Sequence, residues 1–408
     1  MKKYGLIGEK LGHSFSPQIH GLLQDYEYRL YEVERDTLSR FMNETDLQGF
    51  NVTIPYKQEV IPFCKTLSDR AAAIGSVNTV VRMKDGSFFG DNTDYFGFEY
   101  MLKKSGVSVS GKKAIVLGSG GASKTVQAVL KANNASSVTV VSRTGENNYG
   151  NLQLHKDAVV IVNTTPLGMY PNTGVSPVDL TSFPDCRLVL DLIYNPDKTA
   201  LILQAKSLGI PAFSGLSMLV AQAKEASDIF TSTRSSDDVI ASIEKTILSQ
   251  TMNIALIGMP GCGKTTVGKL LAEMTDREFI DLDEEIEKAL GRSIPDVIAS
   301  EGLEYFRNTE TAVLRKISCQ SGKVIATGGG VVTIPENKPL LAQNSITVLL
   351  ERPLKDLESK GRPLSQSKGV EALYNERKDL YQEWSELKIA NISPKQTAKE
   401  IKEKLFHF

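Results

Sequence analysis

Residues Ile254–Leu270 read IALIGMPGCGKTTVGKL: an apolar run, a glycine-rich turn, a lysine with two threonines, then apolar residues at helical spacing. A strand that ends in such a turn and re-emerges as a helix is the repeating unit of an α/β fold with a parallel sheet. GMPGCGKT matches G-x-x-x-x-G-K-[ST], with Gly258, Gly263, Lys264 and Thr265 at the fixed positions and Pro260, Gly261, Cys262 and Thr266 completing the loop. Its backbone N–H groups can surround phosphate oxygens, Lys264 can reach a phosphoryl group in transfer, and Thr265 can hold Mg²⁺. The loop predicts a nucleoside triphosphate such as ATP and leaves the acceptor open.

Working back from this loop, the amphipathic segment VIASIEKTILSQ follows the polar stretch TSTRSSDD, so a domain junction is expected between Thr231 and Met252, close to Gln250. Further upstream, GKKAIVLGSGGASKTVQAVLKAN from Gly111 is again strand, glycine turn and helix, with SVTVVSR as the next strand. That β-α-β unit predicts a dinucleotide-binding subdomain over residues 106–199, with Gly118, Ser119, Gly120, Gly121, Ala122 and Ser123 forming the turn. An NAD site usually presents an acidic residue at the end of the second strand. Here Ser142, Arg143 and Thr144 stand there, and an arginine suits a 2′-phosphate, so NADP(H) is the expected cofactor.

The 408 residues are more than one core usually holds. Lysine plus arginine number 47 against 48 acidic residues, for a formal charge of -1, which gives no general field to recruit nucleic acid or an anionic membrane. The stretch MKKYGLIGEKLGHSFSP has too short an apolar run for a signal core or a membrane span, and a cytoplasmic protein is expected. The four cysteines form no C-x-x-C pair and read as reduced thiols.

Six pieces of the first half, GHSFSPQIH at Gly12, NVTIPYK at Asn51, GSVNTV at Gly75, GDNTD at Gly90, DLIYNP at Asp191 and GLSMLVAQA at Gly215, occur in the order found in shikimate dehydrogenase. The resemblance spans residues 1 to about 245. It implies that Ser14, Ser16, Thr53, Lys57, Asn78, Asp94 and Gln222 line a shikimate site with Tyr194 nearby, and that Lys57 and Asp94 are the chemical pair. Hydroxyls and amides are what a polyhydroxylated ring requires, since each buried polar group must find a partner. GSGGAS departs from the GAGGA common in that family.

In the second half REFIDLDEEIE, GRSIPDVIASEGLEYFRNTE, VIATGGGVV, GRPL at Gly361 and NERKDLY together resemble shikimate kinase over nearly all of residues 252–406. The resemblance implies Asp281 near Mg²⁺, with Asp283, Arg307, Gly328, Gly329, Gly330 and Arg377 around shikimate. It also implies Arg362 on a lid that closes over the phosphates. If the strand continues past Asp281, Asp281 and Asp283 share a face. ERPLKDLESKGRPLSQ lacks the arginine this family often sets beside adenine.

The expectation is therefore a bifunctional α/β enzyme. Residues 1–248 form a two-subdomain dehydrogenase, whose substrate part takes residues 1–105 plus helices over 200–248, and residues 249–408 form a phosphate-loop kinase with a parallel sheet. The first reduces 3-dehydroshikimate to shikimate with NADPH; the second phosphorylates shikimate to shikimate 3-phosphate with ATP and Mg²⁺. The alternatives are a quinate/shikimate dehydrogenase joined to another small-molecule kinase or to a non-catalytic sensing domain. Oligomeric state is left open. Exposed, mobile loops are expected around Arg362 and at Thr93–Gly97, because both reactions must exclude water.

Overall fold

A computed structural model of the chain describes residues 2–12, 14–357 and 369–406. It divides into two compact units, Met1–Met169 with Val175–Ile247, and Tyr170–Gly174 with Leu248–Phe408. No helix among the described residues is long and apolar enough to cross a membrane.

The first unit holds two sheets. One is built from β1 (Lys3–Gly8), β2 (Glu27–Glu32), β3 (Gly49–Val52), β4 (Cys64–Leu67), β5 (Thr79–Arg82) and β6 (Phe88–Asp91), in the order β2-β1-β3-β5-β6-β4. Alternating apolar runs predict parallel pairing throughout. Instead β5 pairs antiparallel with both β3 and β6. The connection Met83–Ser87 is too short for a crossover; Gly86 at φ +85° closes it, with the Met83 N–H donating to the Ser87 carbonyl at 2.7 Å.

The other sheet is β7 (Lys113–Leu117), β8 (Ser137–Val141), β9 (Val160–Asn163), β10 (Leu188–Asp191) and β11 (Ala212–Ser214), ordered β11-β10-β9-β7-β8 with every pair parallel. Such strands are buried on both faces, which is why they read as near-continuous Val, Ile and Leu. Because β11 belongs here, and Leu201 and Ala205 of the helix Ala200–Ser207 pack into the same core, this layer extends to Ser214 and not to 199.

The helices Thr93–Lys104 and Leu216–Thr231 pack together, and a Cβ on Gly97 would lie 2.6 Å from the Met218 carbonyl oxygen. Thr93–Gly97 is accordingly not an exposed loop: it is the first turn of a helix, with Thr93 fully buried.

The second unit has one sheet, β12 (Asn253–Ile257), β13 (Glu278–Asp281), β14 (Lys323–Ala326), β15 (Ser345–Glu351) and β16 (Leu387–Ala390), ordered β13-β14-β12-β15-β16 and parallel throughout. β12 lies between β14 and β15, so the chain leaves it in opposite directions on its two sides. A crevice opens beyond its carboxyl end, and the helices Lys264–Thr275 and Pro394–Phe406 pack against each other beside it.

Candidate active sites

In the first unit a cavity of about 250 Å³ is lined by Ser14, Ser16, Thr53, Lys57, Asn78, Asp94, Tyr194 and Gln222, together with Asn51, Ala122, Met218 and Leu219. Lys57 lies within the turn over residues 54–60, and its own carbonyl accepts from the Val77 N–H at 2.7 Å. Asp94 stands in the first turn of the helix Thr93–Lys104, where the helix dipole favours a carboxylate. Lys57 Nζ and Asp94 Oδ2 meet at 2.5 Å, with the two side chains only 20% and 12% exposed. A charge-assisted hydrogen bond sheltered from water is stronger than the same bond in bulk solvent.

Ser14 and Ser16 are linked through their hydroxyls at 3.1 Å, Asn78 Nδ2 points to Gln222 Oε1 at 3.5 Å, and burial raises the pKa of the Tyr194 phenol. Asn51 is the polar residue that sequence reasoning passed over; it stands in the quoted NVTIPYK, on the inward-facing register of β3.

Beside this cavity lies the glycine turn. Gly118 has φ +104°, a conformation that strains any side chain, and nothing lies within 4 Å of a Cβ at Gly120 or Gly121, ahead of the helix Gly121–Ala132. That open helix N-terminus fits a pyrophosphate. Ser142 is tied to Thr144 O at 2.5 Å, and the exposed Arg143 has no ion-pair partner among the described residues, so its charge is available to a 2′-phosphate. Ser123 is different: its side chain is fully buried, its hydroxyl accepting from Gln127 Nε2 at 3.2 Å, which leaves it a helix-internal role.

The second unit's cavity, about 710 Å³, is lined by Pro260, Gly261, Gly263, Lys264, Thr265, Thr266, Asp281, Asp283, Arg307, Gly328, Gly329, Gly330 and Arg377, and also by Glu310 and Arg352. Gly258 and Cys262 are the frame of the loop. Gly258 adopts φ +141° and a Cβ there would be 2.6 Å from Leu350 O, while Cys262 is fully buried. Asn391 Nδ2 donates to Cys262 O at 2.6 Å, holding the loop from β16; no motif signalled this contact. Lys264 Nζ donates to the carbonyls of Gly258 and Met259 at 2.9 and 3.1 Å.

The strand does not continue past Asp281, as the shared-face expectation required. Asp281 caps the helix Leu282–Leu290, accepting from the Asp283 N–H at 3.1 Å. The cap nevertheless points Asp281 Oδ2 at Thr265 Oγ1, 2.8 Å away, and two hard oxygen donors suit Mg²⁺. Burial, then the charge of Asp281, raises the Asp283 pKa, opposed by Lys264 and Arg307.

Arg307 pairs with Glu310 at 2.6 Å and Arg377 donates to Gly329 O at 3.0 Å. Glu310 Oε1 and Arg377 Nε, both buried, have no hydrogen-bond partner among the described residues, although Arg377 Nε lies 3.6 Å from Glu376 Oε1. Such orphaned groups in a cleft call for a polar ligand. The three glycines are explained by crowding. A Cβ at Gly328 would be 2.8 Å from Asp283 Oδ1, at Gly329 2.6 Å from the Pro260 ring, and at Gly330 2.5 Å from the Arg307 guanidinium carbon. Arg362 lies outside the described residues.

Comparison with known proteins agrees with both halves. The shikimate dehydrogenase substrate binding domain family matches residues 6–80, and the shikimate kinase family matches residues 260–406. A shikimate dehydrogenase (NADP(+)) from Clostridium perfringens is 38% identical over 251 residues, 56% of this chain and 92% of its own length. The structure of a chorismate mutase/shikimate 5-dehydrogenase fusion protein from Clostridium acetobutylicum aligns with a TM-score of 0.57 at 38% identity, covering 60% of this chain and 97% of the other. That of a shikimate 5-dehydrogenase from Thermus thermophilus in complex with NADP(H) and shikimate aligns at 0.55 and 28%, covering 60% and 99%.

Proposed function

The chain belongs to the shikimate dehydrogenase family and carries a shikimate kinase domain, an NADP-dependent oxidoreductase and an ATP phosphotransferase in one polypeptide, and from that premise we propose two consecutive reactions. The first unit reduces 3-dehydroshikimate to shikimate with NADPH; the second transfers the terminal phosphoryl group of ATP to shikimate, giving shikimate 3-phosphate. The observation that carries the reading is the sheltered Lys57–Asp94 pair, set among hydroxyls and amides in one cavity, in a chain whose other cavity joins a phosphate loop to two arginines and an aspartate.

In the first cavity the ring hydroxyls of the substrate pair with Ser14, Ser16, Thr53, Asn78 and Gln222. Bound NADPH supplies the hydride. Lys57, held by Asp94, stabilises the charge that develops on the ketone oxygen and delivers its proton there. Lys57 Nζ donates to Asp94 Oδ2 at 2.5 Å, which fixes where the ammonium group sits in the cavity. Arg143 would hold the 2′-phosphate, and the N–H groups at Gly120 and Gly121 the pyrophosphate.

In the second cavity Arg307 and Arg377 pair with the substrate carboxylate, and Asp283 accepts hydrogen bonds from the ring hydroxyls. Its raised pKa makes it a stronger base towards the attacking one. Thr265 and Asp281 would hold Mg²⁺ and Lys264 would pair with the phosphates, which supply the transferred group.

The test supplies the purified chain with 3-dehydroshikimate, NADPH, Mg²⁺ and ATP and follows NADPH loss and ADP release together. Lys57→Ala is expected to abolish only the first signal, by about 10²- to 10⁴-fold, and Lys264→Ala only the second, with added shikimate. NADPH loss without ADP release refutes the kinase acceptor. Strong oxidation of quinate with no turnover of 3-dehydroshikimate refutes the first assignment.

A further inference from the structure

A buried chain of hydroxyls and amides runs behind the first cavity, and the chemistry above uses only its Asn78. The Tyr28 hydroxyl, whose ring stacks on His20 at 3.8 Å, donates to Asn51 Oδ1 at 2.8 Å. Asn51 Nδ2 then donates to Thr79 Oγ1 at 3.0 Å. Thr79 Oγ1 lies 3.1 Å from Asn78 Oδ1 and 3.0 Å from Thr93 Oγ1. Asn78 Oδ1 also accepts from the Thr93 backbone N–H at 2.7 Å and from the Thr93 hydroxyl at 3.2 Å. Thr79 is 1% exposed and Thr93 0%, so water does not substitute for any of these bonds.

Proton counting orients the chain. A backbone N–H can only donate, so the Thr93 N–H requires the oxygen of the Asn78 amide to face inward. The Asn78 NH₂ therefore faces the cavity, on the side where Gln222 Oε1 lies. Thr79 Oγ1 receives a proton from Asn51, which leaves its own proton for Asn78 or Thr93. One hydroxyl thus touches three separate pieces: β3 through Asn51, the loop before β5 through Asn78, and the helix turn that carries Asp94. The register Asn51↔Thr79 on one side and Thr79↔Asp91 on the other puts Thr79 directly between them.

We propose that Thr79 is a positioning residue of the dehydrogenase. Its hydroxyl, together with the Thr93 N–H, holds Asn78 with the amide NH₂ toward the substrate and seats the turn that presents Asp94 to Lys57. The substrate group at Asn78 must therefore be a hydrogen-bond acceptor, such as the oxygen of a ring hydroxyl. This inference rests on the reading of the first cavity as the reducing site.

The experiment uses the full chain with Thr79→Val, which replaces the hydroxyl by a methyl of the same shape, and Thr79→Ser, which keeps it. Steady-state reduction of 3-dehydroshikimate is measured per folded molecule, with shikimate-dependent ADP release as the internal standard. Thr79→Val is expected to raise the KM for 3-dehydroshikimate about 10-fold, the loss of one net hydrogen bond, and to lower kcat, with the KM for NADPH and the kinase rate unchanged. Thr79→Ser restores both parameters to within about twofold. A purely structural threonine would instead lower the melting temperature and leave KM and kcat of the folded protein alone, and that result overturns the inference. Should Thr79→Val not fold, Thr93→Ala removes the facing hydroxyl; a raised KM supports the proposal and an unchanged one overturns it. A wild-type chain that fails to reduce 3-dehydroshikimate refutes the underlying site reading, a separate outcome visible before any variant is made.

Discussion

Gly330→Ala tests how the second cavity holds its substrate. The new methyl would overlap Nη2 of Arg307 and sit 2.5 and 2.6 Å from its Cζ and Nη1. Ordinary contact begins near 3.4 Å, so the guanidinium must retreat by roughly 1.5 Å. Arg307 is held by a charge-assisted hydrogen bond to Glu310 at 2.6 Å, and a retreat of that size breaks it. Hydrogen bonds to charged groups contribute about 1.5–3 kcal/mol, and each 1.4 kcal/mol is tenfold, so the KM for shikimate rises by about 10- to 140-fold. If Arg307 binds the carboxylate equally in ground and transition states, kcat changes little. The assay is shikimate-dependent ADP release at saturating ATP, and NADPH-linked reduction by the same molecules reports that the chain is folded. A KM within twofold of wild type, with intact reduction, would refute the claim that the glycine exists to admit Arg307.

Two other substitutions probe the first unit. Arg143→Ala is expected to raise the KM for NADPH by roughly 10-fold, in the range of a charge-assisted contact, without affecting NADH; equal effects on both would remove Arg143 from 2′-phosphate recognition. Asp191, fully buried and accepting from Asn163, Thr199 and the Ile193 N–H, has its pKa raised by burial to about 6 from 3.8. A folded carboxyl that holds its proton more tightly than the unfolded one stabilises the fold at low pH, and this contribution is lost as pH rises from about 4 through 6. The shift corresponds to about 3 kcal/mol. Asp191→Asn should therefore flatten the stability profile between pH 4 and 7 in denaturant unfolding of the first unit. A difference from wild type that is constant with pH refutes the assignment.

Both glycine turns were legible because a strand, a φ-positive glycine and a helix N-terminus impose residue types at fixed spacing. The substrate groups Lys57, Asp94, Asp283 and Arg307 were legible only through resemblance, since an isolated charge on a helix or turn looks the same whether it faces water or a ligand. Glu310 escaped for that reason, although its place three residues after Arg307 on one helix is the spacing at which side chains meet. Thr79 escaped because two of its partners, Asn51 and Thr93, come from segments that adjoin it only after the sheet forms. The hairpin β5–β6 was written in Asp85-Gly86 but masked by the surrounding alternation. The end of the dinucleotide layer was hidden because β11 has three residues, too few for a period to register.

The run Gly328–Gly330 also bears on how this chain tolerates change. Its three α-hydrogens face three different neighbours: the carboxylates of Asp283 and Glu310, the ring of Pro260, and the guanidinium of Arg307. In a library of random substitutions these adjacent positions would all be depleted under selection for phosphorylation, yet each for its own reason, one disturbing the base, one the phosphate loop and one the anchor of the acceptor. Because Glu310 and Arg307 form one ion pair at 2.6 Å, a second-site change that moves this pair bears on Gly328 and Gly330 together, while Gly329, against Pro260, stands as a separate genetic locus.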